Sequence, residues 1–344
     1  MSVLSIIEEV IYELIKVLES GDINETKKSY VFDFHICRHF LELLLKKPAE
    51  FARLMVILKM AHEAVREDKF ITKRSIYYSN PILFKKQSTI DPLLSKICQQ
   101  LNLPRCALKI NASSKLIIYG DIHFGTRCQD DVSKKIQVTP ESLHRTGHEV
   151  IISECLPQFI LVIEKDTIFQ KLLNENFYEK FKPCLLVTAK GYPDLITRQF
   201  LARINCLYSH IPMIGLFDAD PHGINVFCTY KYGSMNPMMQ DTDGKPIKIP
   251  NLQLCGLLPT EISFLQIKQT ELLQLTKTDR ALLHSMQKRT YIQQESILLK
   301  QIKHLSWIEK KAELEILNTI HSHYLTNEYL PNKLEELLGI LPNQ

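Results

Sequence analysis

Apolar residues near the start of the chain recur at helical spacing: Val3-Leu4, Ile6-Ile7, Val10-Ile11 and Leu14-Ile15, with Glu8, Glu9 and Glu13 between them. This predicts one amphipathic helix over 2–19, closed near Gly21. It either packs on its own domain or docks a partner, since the polar stretch 22–30 separates it from the next helical segment. Helical spacing returns from Phe40 to Arg66. Thr72 offers a cap for a short helix through Ile76, Tyr77 and Tyr78, and Ser88-Thr-Ile-Asp91 has the form of a capping box for a helix to about Leu101. Two strand candidates come next, Ala107-Leu-Lys-Ile110 and Lys115-Leu-Ile-Ile-Tyr119, joined by Asn111-Ala-Ser-Ser114. Helices followed by a β-hairpin point to a winged helix-turn-helix, a common means of presenting a helix to DNA.

Residues 120–150 are polar, weakly periodic and predicted to be a long connection. From Pro157 the pattern alternates. Strand 158–163 precedes helix 167–180, strand 184–188 precedes helix 194–205, and strand 212–217 precedes helix 221–232, which stops at Gly233. Such alternation predicts parallel strands with crossover helices. Asp243-Gly244 marks a turn, and 259–335 reads as mainly helical.

Composition adds limits. At 344 residues the chain has room for two domains, and its 45% hydrophobic and 23% charged content is that of an ordinary globular protein. A net charge of +4 neither demands nor excludes nucleic acid. Nine cysteines without C-x-x-C spacing argue for free thiols in a reducing compartment. The first helix lacks the basic start of a signal peptide, and no apolar run approaches the roughly 20 residues needed to cross a bilayer. A soluble, intracellular protein is expected.

The densest chemistry lies in Pro212-Met-Ile-Gly-Leu-Phe-Asp218-Ala-Asp220-Pro-His-Gly223. Alternate residues of an extended strand face one side, so Asp218 and Asp220 aim at one spot. Asp220 suits an N-cap and Pro221 the first helical position. A second apolar run, 158–163, ends in a third acid, Glu164. Acids at strand C-termini of an α/β sheet sit where such folds build ligand sites, and all-oxygen ligands select Mg²⁺ or a similar hard cation. Solvated strand ends or a structural ion pair are the plain alternatives. A phosphatase Asp-x-Asp-x-Thr/Val pattern fails because position 222 is His, and no P-loop is present. His222 is either a candidate base, by adjacency to the acids, or structural. His35-x-x-x-His39 has helical metal spacing but no accompanying Glu.

These elements combine. Thr72-Lys-Arg-Ser-Ile-Tyr-Tyr78, Ser113-Ser-Lys115, Val162-Ile-Glu164-Lys-Asp166, Lys190-Gly-Tyr-Pro-Asp194, Asp218-Ala-Asp-Pro-His-Gly223, Tyr230-Lys-Tyr-Gly-Ser234 and Tyr329-Leu-Pro-Asn-Lys333 occur in one order over about 70–335. The chain thereby resembles the A-type component of topoisomerase VI, and more closely the eukaryotic meiotic DNA double-strand-break transesterases of that family. The resemblance implies an α/β multidomain chain. An N-terminal helix and linker (1–30), able to dock a partner, would lead to a CAP-like winged-helix domain (31–125) carrying the nucleophile. A connection (126–156) would come next, then a Rossmann-like Toprim domain with a helical C-terminal extension (157–344).

By resemblance, Tyr78 is the nucleophile with Tyr77 as packing, and Arg74 orients the scissile phosphate. Glu164, Asp218 and Asp220 bind Mg²⁺, and Lys115 in the wing and Tyr192 in the Gly-Tyr-Pro turn contact DNA. Leu116 stands where the family usually has Gly, so the wing geometry is expected to differ. Attack by Tyr78 would leave a 5′-phosphotyrosyl end, with the tyrosine of one copy serving the metal site of another. The implied partners are double-stranded DNA, a second copy of the chain, meiotic accessory proteins and a topoisomerase VI B-like subunit, in the nucleus and with no membrane. A Toprim metal nuclease without a covalent intermediate and a non-catalytic DNA-binding module remain alternatives.

Overall fold

The computed structural model describes residues 2–20, 43–103, 105–111, 114–124, 134–137, 150–152, 156–234, 246–265, 267–268 and 270–343. The expected linker 22–30, the pair His35/His39, Ser113 and the turn Asp243-Gly244 lie outside these residues. The described chain falls into two compact units, one within positions 1–113 and one over 114–234 and 247–344.

The first unit is helical. Helices α1 (Val3–Ser20), α2 (Pro48–Arg66), α3 (Lys73–Ser79), α4 (Pro81–Phe84) and α5 (Ile90–Leu101) enclose its core. The inner stripe of α1, Ile7, Val10 and Leu14, is fully buried among residues that include Leu54, Ile57 and Leu58 of α2. The first of the two readings of this helix therefore accounts for its apolar face, which packs within its own unit. Thr72 caps α3 as expected, in a reciprocal box with Ser75. The box expected at Ser88–Asp91 does not form. Residues Gln87–Thr89 make a 3₁₀ turn, no side chain caps α5, and Asp91 instead pairs with Lys73 at 2.7 Å.

The expected wing is absent among the described residues. Arg105–Leu108 is a 3₁₀ turn, and β1 (Ile71–Thr72) pairs in parallel with β2 (Ile110–Asn111). The other arm, β3 (Ile117–Gly120), joins the sheet of the second unit, so the change of unit falls at 113/114 rather than near 125. The reason is burial on both faces. Ile118 enters the core on one side of that sheet and Ile117 the core on the other. An exposed wing would leave one of them in water.

The second unit carries the predicted parallel α/β pattern. Further strands are β4 (Ile122–Phe124), β5 (Lys134–Gln137), β6 (Val150–Ile152), β7 (Ile160–Ile163), β8 (Leu185–Thr188), β9 (Met213–Leu216) and β10 (Leu252–Leu254). The main sheet runs β10-β9-β7-β8-β3-β5, parallel from β10 to β8 and antiparallel through β3 and β5. Three strands thus interrupt the polar stretch expected to be a plain connection, with β4 and β6 forming their own antiparallel pair.

Helices α6 (Asp166–Asn174) and α7 (Phe177–Phe181) replace the single predicted helix 167–180, and α8 (Leu195–Leu207) and α9 (Pro221–Tyr232) come where expected. A helical C-terminal part holds α10 (Lys277–Gln287), α11 (Thr290–Gln294), α12 (Ser296–Ile308) and α13 (Leu330–Leu338). Strands β7, β8 and β9 are buried throughout, as continuous apolar runs in a parallel sheet require. The described cysteines Cys98, Cys184, Cys206, Cys228 and Cys255 are free thiols, and no described helix is long and apolar enough to cross a membrane.

Truncating Leu14 to Ala should cost about 2–5 kcal/mol, the range for emptying a fully buried leucine site. Chemical denaturation read by circular dichroism checks this; an unchanged midpoint would mean that α1 is not part of this core.

Candidate functional site

Strands β7 and β9 are parallel neighbours in the register Ile160↔Met213 to Ile163↔Leu216, so their C-terminal ends are level. The Glu164 amide donates to the Leu216 carbonyl at 3.1 Å, which draws the next residues of both strands together. One carboxylate oxygen of Glu164, Oε2, then accepts the Asp218 amide at 3.0 Å. Asp220 caps α9, its Oδ1 accepting the Gly223 amide at 2.5 Å, with Pro221 in the first turn. Gly223 is required here. A Cβ on it would lie 2.4 Å from the Asp218 carbonyl oxygen, so only glycine lets the helix start press against this turn.

Glu164 and Asp218 are buried and Asp220 is half-buried. Burial, reinforced by the Asp218 charge, pushes the Glu164 carboxyl up to about 8. Burial likewise raises Asp218, to about 6, against the opposing pull of Lys165 and of the Leu314 amide. Asp220 is raised by burial too, with the Gly223 amide opposing.

One cation already serves this cluster. The Lys165 ammonium lies 2.8 Å from Asp218 Oδ2, 2.8 Å from Glu313 and 3.2 Å from Glu315. Burial would lower its pKa, but the bonds to Asp218 and Glu313 prevail and hold it above the ordinary lysine value. The remaining Asp218 oxygen accepts the Leu314 amide at 2.8 Å, from a segment tied to the site by the Ala312 amide on the Ala219 carbonyl at 3.1 Å.

Among the described residues, no three His, Cys, Asp or Glu side chains stand close enough to enclose a metal ion as placed. The donor chemistry nonetheless fits a hard divalent cation. Glu164 and Asp218 adjoin at the C-terminal ends of β7 and β9 with Asp220 two residues on, and burial disfavours their charge unless a cation compensates. Lys165 now supplies that compensation at Asp218.

Around this edge runs a polar chain that sequence reasoning did not anticipate. Arg289 donates to Asn225 Oδ1 at 2.7 Å and to the Tyr291 hydroxyl at 2.9 Å. The Asn225 amide donates to the Tyr192 hydroxyl at 2.7 Å, and that hydroxyl lies 3.4 Å from His222 Nδ1. The far nitrogen of His222 is 3.6 Å from Asp279, a buried acid that also holds Lys311 at 2.8 Å. Asp279 was detectable only as the last residue of the capping pattern Thr276-Lys-Thr-Asp279, three positions after the cap.

Tyr192 sits on the turn after β8, where Lys190 and Gly191 both have positive φ. Lys115 precedes β3 rather than lying in a wing, and its backbone amide donates to Asp194 at 2.6 Å. Tyr192 and Lys115 thus share the second unit with the three acids.

Arg74, Tyr77 and Tyr78 lie on α3 of the first unit. Tyr77 packs on the core, whereas Tyr78 is 70% exposed and meets Tyr77 edge-on with centroids 5.3 Å apart. Arg74 is exposed one helical turn before Tyr78, so the two share a face.

Residues 159–334 match the Toprim domain of the TOP6A/Spo11 family, the A-type component of topoisomerase 6 together with Spo11. Residues 49–110 match Type IIB DNA topoisomerase. The Meiotic recombination protein SPO11 of Mus musculus is 36% identical over 84% of this chain and 72% of the mouse protein. The human protein of the same name is 33% identical over 84% and 72%. Meiotic recombination protein spo-11 of Caenorhabditis elegans is 32% identical over 90% and 71%. The chain belongs to the TOP6A/Spo11 family.

Other motifs of this Spo11-type chain are architectural. The Tyr329 hydroxyl bonds Glu261 at 2.8 Å and the Gly256 carbonyl at 3.1 Å, and Lys333 pairs with the same Glu261. Tyr230 is buried in the core beside Phe217.

The raised carboxyls give a pH signature. Because folding favours their protonated forms, the contribution of Glu164 is fully present below about 4.5 and is lost as pH rises through about 8. Metal-free protein should therefore lose thermal stability across that window, and Glu164→Gln should flatten the loss. Thermal melts at stepped pH check this; identical slopes for both proteins would contradict it.

Proposed function

We propose that this protein is a topoisomerase-like DNA-cleaving transesterase that makes the double-strand breaks initiating meiotic recombination. Membership in the TOP6A/Spo11 family and the meiotic recombination role in the names of its mouse and human relatives support the reading. The observation that carries it is the exposure of Tyr78, one turn after an exposed Arg74, in a chain that also gathers three carboxylates at a sheet edge.

In this reading the Tyr78 oxygen attacks a DNA phosphodiester. A bond forms between phosphorus and the tyrosine oxygen as its hydroxyl proton passes to solvent, the bond to the 3′-oxygen breaks, and that oxygen takes up a proton in turn. A 5′-phosphotyrosyl end and a free 3′-hydroxyl result. Arg74 orients the phosphate and offsets its charge. Glu164, Asp218 and Asp220 would hold Mg²⁺, which when bound would supply charge stabilisation at the phosphate. Glu313 and Glu315, already paired with the Lys165 ammonium, would keep it compensated with a cation bound. Lys115 and Tyr192 contact the DNA, with Arg289 and Asn225 fixing the direction of the Tyr192 hydroxyl.

Tyr78 of one copy acts at the carboxylates of a second, so a dimer cuts both strands. Meiotic accessory proteins and a topoisomerase VI B-like partner complete the assembly, in the nucleus.

A denaturing assay for protein covalently attached to DNA 5′ ends, in cells entering meiosis, tests the reading. Tyr78→Phe should abolish both linkage and breaks while leaving the fold intact, since the side chain is exposed; Tyr77→Phe should retain both. Breaks without any linkage would instead identify a metal nuclease using water.

A further inference from the structure

Helix α12 is held from below and open above. Leu298, Ile302 and Leu305 are buried in the core, and buried Gln301 accepts the Thr260 amide at 3.0 Å. That bond fixes the 3₁₀ turn Pro259–Glu261 against the helix. The opposite face carries Ser296, Lys300, Lys303, His304 and Trp307, most of them spaced three or four apart and so aligned in one stripe. With Thr260 and Leu299 these residues line a surface cavity of about 440 Å³.

Trp307, the chain's single tryptophan, is 79% exposed. Its ring lies 5.7 Å from that of His304. Lys300 and Lys303 make no ion pair with any described residue, so both charges are open to a ligand. Every ionisable group lining the cavity is basic. Burial and the nearby Lys300 charge both lower the His304 pKa, in keeping with a positive potential there.

We propose that this groove is a docking site for an acidic segment of another protein, which places an apolar side chain between Trp307 and Leu299 and its carboxylates on Lys300 and Lys303. Charge complementarity selects an acidic occupant, and the cavity selects a peptide over duplex DNA. A phosphate backbone has no apolar group to fill the space, and duplex bases are stacked inside the helix, out of reach of an indole. The buried floor of α12 means that the groove is formed before the partner arrives, which reduces the ordering cost of binding. The inference is independent of the metal edge and of Tyr78.

Because Trp307 is the only indole, its emission reports on this groove alone. The full chain is titrated with a synthetic, tryptophan-free peptide in which one leucine is flanked by Asp and Glu. A saturable shift of the emission is expected, weakened by raised salt. A Lys300→Glu/Lys303→Glu variant, changed only on the open face of α12, should bind about tenfold or more weakly, the loss that roughly 1.4 kcal/mol produces. No shift up to millimolar peptide, or equal binding of a peptide with Lys in place of its acids, would overturn the proposal. So would a duplex oligonucleotide that shifts the emission and displaces the peptide, which would make the groove a DNA-tracking face.

Discussion

The candidate site of the second unit depends on two buried carboxylates held side by side. The register of β7 and β9 and the Asp218 amide on Glu164 Oε2 set Glu164 and Asp218 next to each other. Such a pair raises the cost of its own charge. Lys165 offsets part of it at Asp218, and Glu313 and Glu315 hold Lys165 in turn. The C-terminal segment near 312–315 is thus tied to the acids electrostatically as well as through the Ala219–Ala312 bridge. An arrangement so costly to charge by itself is suited to a cation, because binding relieves the repulsion that folding imposes.

The first unit works differently. Its nucleophile candidate is not made reactive by burial, since Tyr78 stands exposed on a helix of seven residues. What the fold contributes is placement. A Thr72–Ser75 box starts the helix, Ile76 and Tyr77 anchor it, and Tyr78 is left projecting. In the proposed reaction, activation would come from the groups that approach it: the phosphate, Arg74 and, in the proposed dimer, the acids of a second copy. In the proposed reaction, division of labour of this kind would let breakage wait for assembly.

Much of this was legible in the sequence. The apolar runs ending in Glu164 and Asp218, and the Asp220-Pro221 start of α9, are local patterns governed by strand alternation and capping, and they appear where spacing places them. Tyr77 and Tyr78, adjacent in sequence, could not be separated by residue type alone; their burial separates them. The expected hairpin is not found among the described residues because Leu116-Ile-Ile118 reads equally well as one arm of a hairpin or as a strand covered on both faces. Local pattern cannot say which sheet supplies the cover.

The sequence by itself determined the parallel α/β order, the acids at strand ends and the tyrosine pair, because each rests on contacts between residues a few positions apart. Only the tertiary structure decided where β3 pairs, which cation compensates Asp218, and that Arg289 supports Tyr192 through Asn225. These depend on residues brought together from across the chain, such as Lys165 with Glu313 and Asn225 with Arg289. Their energies are set by burial and distance, and neither exists until the chain has folded.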